Sequence, residues 1–491
     1  MGDWIEDLPV KLGPASNGEY DPVPLSPVVR EALRRARDLV DRGARRTGVS
    51  RREFLRSLPA AAAVLFALDA CSREAARHTG RRVDPGGRYE VTAEATVDED
   101  AAREAVGGEE FVFDVQGHLL EYELNPAAHD DDFWTHFPHQ DCGEDDPRTC
   151  FSIDHFLTEI FLRSDTNLVA LSALPIRPEA SPLSPGVMEE TRRVAEALCG
   201  DERILLHGQA LPNLGSPATN LEAMEDLVRR HRISAWKTFT HFPEAFGQPG
   251  TGWWLDDHEP GVPRVGERFV DRAVRLGVPI VCVHKGLSGG SRFSSPEDIG
   301  PAARKHPEAR LVVYHSGYES THVEGPYSRA TAHLGINRLI ASMRRAGVGP
   351  GENVYAEIGT TWWNVMRDPT QAAHVLGKLL RYVGEDNVVW GTDSIFYGSP
   401  QDQIQALRAF HITERFQERY GYPRLTPRRK AKILGLNAAR LYGVDPAAVP
   451  CRFSRRELER VRKGLPIRQR TLGPRTPGEV KAFRDHHRGW P

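Results

Sequence analysis

The chain has 491 residues, of which 40% are hydrophobic and 27% charged, with a formal net charge of -3. That balance gives no global field for nucleic acid or an anionic membrane, and the length exceeds a typical domain of roughly 100 to 200 residues while suiting one α/β barrel with appendages. The six cysteines, Cys71, Cys142, Cys150, Cys199, Cys282 and Cys451, form no CxxC pair, which argues against a cysteine-built zinc site.

In chain order the sequence divides into an extension with an amphipathic helix (1–49), a signal-like segment (50–75), a linker (76–108), a barrel (109–445) and a basic helical tail (446–491). From Ser26 a capping serine, a proline at the first helical position and apolar Val29, Leu33 and Val40 predict a helix. The stretch Ser50-Arg51-Arg52-Glu53-Phe54-Leu55-Arg56, followed by the apolar run 58–70, resembles a twin-arginine export signal, although it starts near residue 50. Leu68-Asp69-Ala70-Cys71 loosely resembles a lipoprotein cleavage box with an atypical aspartate. The run is too short for a stable transmembrane span of about 20 residues. Export to the periplasm or cell surface is the expectation, with the cytoplasm as the alternative.

Between 109 and 445, strand-like runs at 111–115, 167–174, 203–210, 233–239, 279–283, 310–314, 353–358 and 387–391 alternate with helical patterns. Ser295-Pro296, Asp368-Pro369 and Ser399-Pro400 each read as a capping residue before a proline. Eight βα units fit a (β/α)8 TIM barrel, with its active site at the C-terminal strand ends. Those ends carry Gln116 and His118, Lys237, His284, His315 and Asp393. Asp114, Gln116 and His118 alternate along strand one, so they are expected on one face.

This ordered set, with VPIVCVHKG, RLVVYHSG, NVVWGTDS and KILGLNAARLYGV, resembles the amidohydrolase superfamily, in its amidohydrolase-related branch of hydrolases and non-oxidative decarboxylases. The resemblance implies a divalent metal ion, zinc first and manganese second. It makes His118, His284 and Asp393 ligands, and it gives Asp393 the proton of an attacking water. His315 becomes a further ligand or the group that orients the developing oxyanion. Gln116 stands where the family's first histidine belongs. Three outcomes are open there: an incomplete site, substitution by another residue such as Asp114, or a harder ion such as manganese.

Lys237 has three readings: a carboxylated bridge between two metals, a cation for a substrate carboxylate, or a side chain snorkelling to solvent. Trp134, Trp253, Trp254, Trp362 and Trp363 follow predicted strands and either wall a ring-accommodating pocket, with Trp362 and Trp363 binding substrate, or pin loops to the barrel. The acidic loop 129–146 is a lid, a second metal site or solvated surface. Its Cys142 and Cys150 are a disulfide or two free thiols. The tail, with capping boxes at Ser454 and Thr476, is expected to pack on the barrel or on a neighbouring subunit of a homo-oligomer. A small-molecule substrate and no nucleic acid are expected. The function so read is metal-dependent hydrolysis of a small cyclic or aromatic substrate. Decarboxylation of an aromatic or unsaturated acid is the alternative, and a non-catalytic barrel with a degraded metal site is the third reading.

Overall fold

The computed structural model describes residues 8–78, 85–124, 137–140, 142, 144–177, 180–244, 250–287, 290–449, 454–465 and 470–486. Eight parallel strands lie side by side in chain order: β1 (Phe113–Gly117), β2 (Leu168–Leu171), β3 (Ile204–Gln209), β4 (Ile233–Phe239), β5 (Ile280–His284), β6 (Arg310–Tyr314), β7 (Val354–Glu357) and β8 (Val388–Val389). Backbone bonds from Val115 N to Trp390 O (3.0 Å) and from Asp393 N to Gln116 O (3.0 Å) join the last strand to the first, closing a (β/α)8 TIM barrel. β4 and β6 occupy the predicted spans. β8 keeps only two ladder residues, because from Trp390 the chain bonds to β1 irregularly.

The register of β1 against β2 shifts between Asp114 and Gly117. The alternation expected there therefore breaks, as it does at a bulge. Asp114 turns to Thr392, whose backbone N and hydroxyl both donate to its carboxylate, while Gln116 and His118 reach Asp393. Asp114 is thus a clamp between β1 and the end of β8. It does not line the pocket described below.

Helix α1 (Pro27–Thr47) starts on Ser26, whose hydroxyl accepts from Val29 N (3.2 Å), and buries Val29, Leu33 and Val40 as its spacing requires. The signal-like stretch is folded into the molecule. Ser50 and Glu53 close a capping box, Arg51 pairs with Asp41 (2.9 Å), and Phe54 packs its ring on Gly43 of α1, where an added Cβ would sit 2.3 Å from it. The apolar run forms helix α2 (Leu58–His78), which lies along α1, with Ala60, Ala62, Val64, Leu65 and Leu68 fully buried in one core with the barrel's outer helices. Asp69, the residue atypical of a cleavage box, accepts from Tyr89 N (3.1 Å). Among the described residues no helix is long and apolar enough to cross a membrane.

The span read as a linker contains structure. Gly87–Tyr89 pairs antiparallel with Phe410–Ile412, and Asp98 caps the helix Glu99–Val106 by accepting from Ala101 N (2.9 Å). That cap was legible in the sequence and was missed. Of the three capping residues read before prolines, Asp368 caps its helix as expected, accepting from Thr370 N and Gln371 N, Ser295 makes no side-chain cap, and Ser399 sits one residue ahead of the N-cap Pro400 and accepts from Gln401 N at 3.5 Å.

Cys142 and Cys150 are joined in a disulfide, so the free-thiol alternative does not hold. Trp134, residues 129–136 of the acidic loop, and Cys451 lie outside the described residues. The tail packs on the barrel mouth, where Leu472 N donates to Phe396 O (2.9 Å) and Phe483 meets Phe137 (4.9 Å between centroids).

Candidate active site at the barrel mouth

Of the predicted strand-end residues, Gln116, His118, Lys237, His284 and Asp393 line one buried pocket together with Phe239, Leu174, Pro175 and Phe396, whereas His315 lies against His284 and outside the lining. Two further lining residues, Asn17 and Glu19, come from the N-terminal segment. Residues 8–20 lie across the barrel mouth with Leu8, Val10, Leu12 and Ala15 fully buried. Lys11 is locked there by Asp402 (2.9 Å) and Ser399 O (2.8 Å), and Tyr20 OH meets Tyr397 OH (3.0 Å). The remaining cavity is about 20 Å³, room for one water or ion.

Asp393 sits at the centre of a donor cluster. Gln116 Nε2 (2.8 Å) and His118 Nε2 (3.2 Å) face its Oδ1, while Thr360 Oγ1 (2.7 Å) and Asn17 Nδ2 (3.0 Å) donate to Oδ2. Burial alone would resist ionisation, but the hydrogen bond from His118, the neighbouring His315 and the Thr360 hydroxyl hold the carboxyl well below the usual carboxylate range. Gln116 therefore serves here as a donor that orients Asp393. His118 Nδ1 lies 2.6 Å from Ser172 O, which fixes the ring.

His315 follows β6, and its Nδ1 is 2.8 Å from Gly359 O. With that nitrogen donating, Nε2 carries the lone pair, and it is buried with no hydrogen-bond partner among the described residues. Its backbone N donates to Glu357 Oε2 (2.9 Å), a carboxyl that burial pushes up to about 8 and that the sequence reading missed. Gly391 is required beside it, since a Cβ there would stand 2.0 Å from Glu357 Oε1. His315, Thr360 and Asp393 all adopt positive φ (60°, 57° and 57°), a concentration of backbone strain expected at a functional site. His284 closes β5, its ring centroid 4.6 Å from that of His315 and its Nε2 3.7 Å from Glu19 Oε2. Burial, first of all, holds His284 well below the ordinary histidine value and His315 down to about 4, so both are neutral and fit to ligate. One ligand atom each from Glu19, His284 and His315 lie within 4.8 Å of one another, a spacing that can hold a metal ion. Burial, then the charge of Asp393, pushes Glu19 up to about 8.

Lys237 is fully buried, which excludes snorkelling. Its Nζ has no hydrogen-bond partner and stands 3.8 Å from the Tyr314 ring centroid and 4.5 Å from that of Phe239, and burial lowers it to about 8. Trp362 and Trp363 do not line this pocket. They are fully buried, with Trp362 Nε1 bonded to Gln403 O (3.0 Å) and Trp363 stacked on Tyr397 (4.8 Å), so their observed work is to pin loops. Trp253 and Trp254 are likewise buried.

A family model described as Amidohydrolase, of the amidohydrolase-2 type, matches residues 131–444. The chain belongs to this family. No curated protein matches this chain. Similar solved structures include an uncharacterised TIM-barrel protein, Bb4693, from Bordetella bronchiseptica (14% identity, TM-score 0.43, covering 68% of this chain and 98% of that one). A 5-carboxyvanillate decarboxylase from Novosphingobium aromaticivorans, complexed with manganese, follows at 13% identity and TM-score 0.41, covering 68% and 97%. A 2,6-dihydroxybenzoate decarboxylase has 16% identity and TM-score 0.40, covering 68% and 100%. The matched stretch of this chain carries His284, His315 and Asp393, while Glu19, Gln116 and His118 lie upstream of it.

Proposed function

We propose that this protein is a metal-dependent hydrolase of a small, anionic, cyclic or aromatic substrate. The observation that carries this reading is an ionised Asp393 bordering a water-sized cavity beside neutral His284 and His315. His284 and His315 would hold the ion, with His118 and Asp393 on the same cavity. The unpartnered Nε2 of His315 is the feature of this chain that fits such an ion. A divalent ion bound there supplies a lowered water pKa and Lewis-acid polarisation of a carbonyl. Asp393 accepts the water proton at Oδ1, where His118 and Gln116 orient it. Lys237 offers an unpaired ammonium to a substrate carboxylate, and the phenyl rings of Phe239 and Phe396 exclude bulk water.

The same Lys237 favours a second reading, decarboxylation, in which the ammonium holds the carboxylated ring and no water attacks. Product analysis separates the two: turnover of esters, lactones or amides supports hydrolysis, whereas carbon dioxide release from hydroxybenzoate-type acids without hydrolysis of those substrates overturns it. We also propose that the protein works in an oxidising compartment outside the cytoplasm, because Cys142 and Cys150 are paired. Fractionation of the native host that finds the protein wholly cytosolic and reduced would contradict this.

A further inference from the structure

Beyond the strand-end ligands, and resting on the metal-dependent reading above, we propose that Glu19 is a resident metal ligand. The N-terminal segment upstream of the twin-arginine-like stretch would then be a permanent part of the metal centre. A barrel with Gln116 in place of a first-strand histidine lacks one donor, and in this structure that amide presents its NH2 to Asp393 (2.8 Å). Glu19 brings a carboxylate to the other side of the cavity, 3.7 Å from His284 Nε2 and within 4.8 Å of the ligand atoms of both His284 and His315. The independent observation is His315 Nε2, fully buried and unpartnered, with its tautomer fixed by Gly359 O so that a lone pair faces this cluster. Two imidazoles and one carboxyl group form the donor set of a three-ligand divalent site with a coordination position left open.

The segment is built to hold Glu19 in place. Asn17 donates to Glu19 Oε2 (3.0 Å) and accepts from Glu19 N (3.1 Å), and its NH2 also donates to Asp393 Oδ2 (3.0 Å), so one amide side chain aligns the two carboxylates. On either side the backbone is tied to distant parts of the fold: Ser16 N to Pro474 O (2.9 Å), Arg484 to Gly18 O (3.2 Å) and Arg367 to Gly13 O (3.2 Å). Removal of the signal-like run at Cys71 would carry Glu19 away with it. On this assignment the working enzyme is not cleaved at Cys71, and α2 and the capped Ser50–Glu53 turn stay part of it. Metal binding and docking of residues 8–20 then stabilise each other, because each favours the same state.

The test uses full-length apo protein titrated with zinc alone by equilibrium dialysis and elemental analysis, for the wild type, Glu19→Gln and His284→Ala, with amide hydrogen exchange of residues 8–20 measured in the wild type with and without zinc. Glu19→Gln is expected to bind zinc about ten-fold or more weakly with the apo melting temperature unchanged, and zinc is expected to slow exchange in residues 8–20 of the wild type. Equal zinc affinity in Glu19→Gln, or exchange in 8–20 that zinc leaves unaltered, overturns the assignment. His284→Ala separates the two levels of the argument: zinc lost there but kept in Glu19→Gln removes Glu19 and leaves the proposed function standing. A wild type that binds no zinc, manganese or other divalent ion overturns both.

Discussion

Gln116 and Lys237 show how far residue identity leads and where geometry takes over. The sequence places both at strand ends. Only the packing reveals that Gln116 gives a hydrogen bond to Asp393 and that Lys237 has aromatic rings for neighbours and no counter-ion within hydrogen-bonding distance. Replacing Gln116 with Leu is therefore expected to leave metal content unchanged while lowering kcat about ten-fold or more, since a hydrogen bond to a charged group is worth about 1.5 to 3 kcal/mol; loss of the metal instead would make Gln116 a ligand. Lys237→Met is expected to raise stability by about 1 to 3 kcal/mol, the cost of a buried unsatisfied polar group, and to raise KM for a carboxylated substrate. The same lysine has a pH signature. Its folded value of about 8 lies below the ordinary 10.5, so between these the unfolded chain binds more protons and stability rises with pH. Thermal melts across that window are expected to climb more steeply for the wild type than for Lys237→Met, and parallel curves would show that burial does not lower Lys237.

The strands were legible because each is a short apolar run bounded by turns, and the site was legible where a histidine or aspartate ends such a run. The N-terminal elements were legible as helices but not as parts of the fold. A run of alanines after paired arginines carries the same pattern whether it threads a translocon or packs on α1, and nothing local to the sequence tells the two apart. In the folded chain this stretch makes tertiary contacts: Phe54 against Gly43, Arg51 with Asp41 and Asp69 on Tyr89 N. Gly43→Ala is expected to cost about 1 to 3 kcal/mol, because the new methyl meets the buried Phe54 ring. A paired Arg51→Lys, Arg52→Lys change is expected to cost less than about 1 kcal/mol, since Arg51 pairs with Asp41 in an exposed ion pair. Chemical denaturation measures both, and equal effects would contradict the packing described for Phe54 against α1.

At the scale of the molecule, the mouth of the barrel is closed by chain from both ends. Residues 8–20 and 470–484 meet there, hundreds of positions apart in sequence, and no periodicity or motif announces such a contact. Segment 13–20, GPASNGEY, reads as an ordinary turn-rich loop, which is why Glu19 and Asn17 escaped the sequence reading while the strand-end residues did not. The two ends leave a cavity for one water or ion, so the account stands or falls on whether that cavity holds a metal. The most direct measurement is the divalent-metal content of purified full-length protein and of His315→Ala, by elemental analysis after dialysis. The account expects about one equivalent or more per wild-type chain and a strong loss in His315→Ala with the fold intact by circular dichroism. Metal content that is negligible in the wild type, or the same in both proteins, would contradict it.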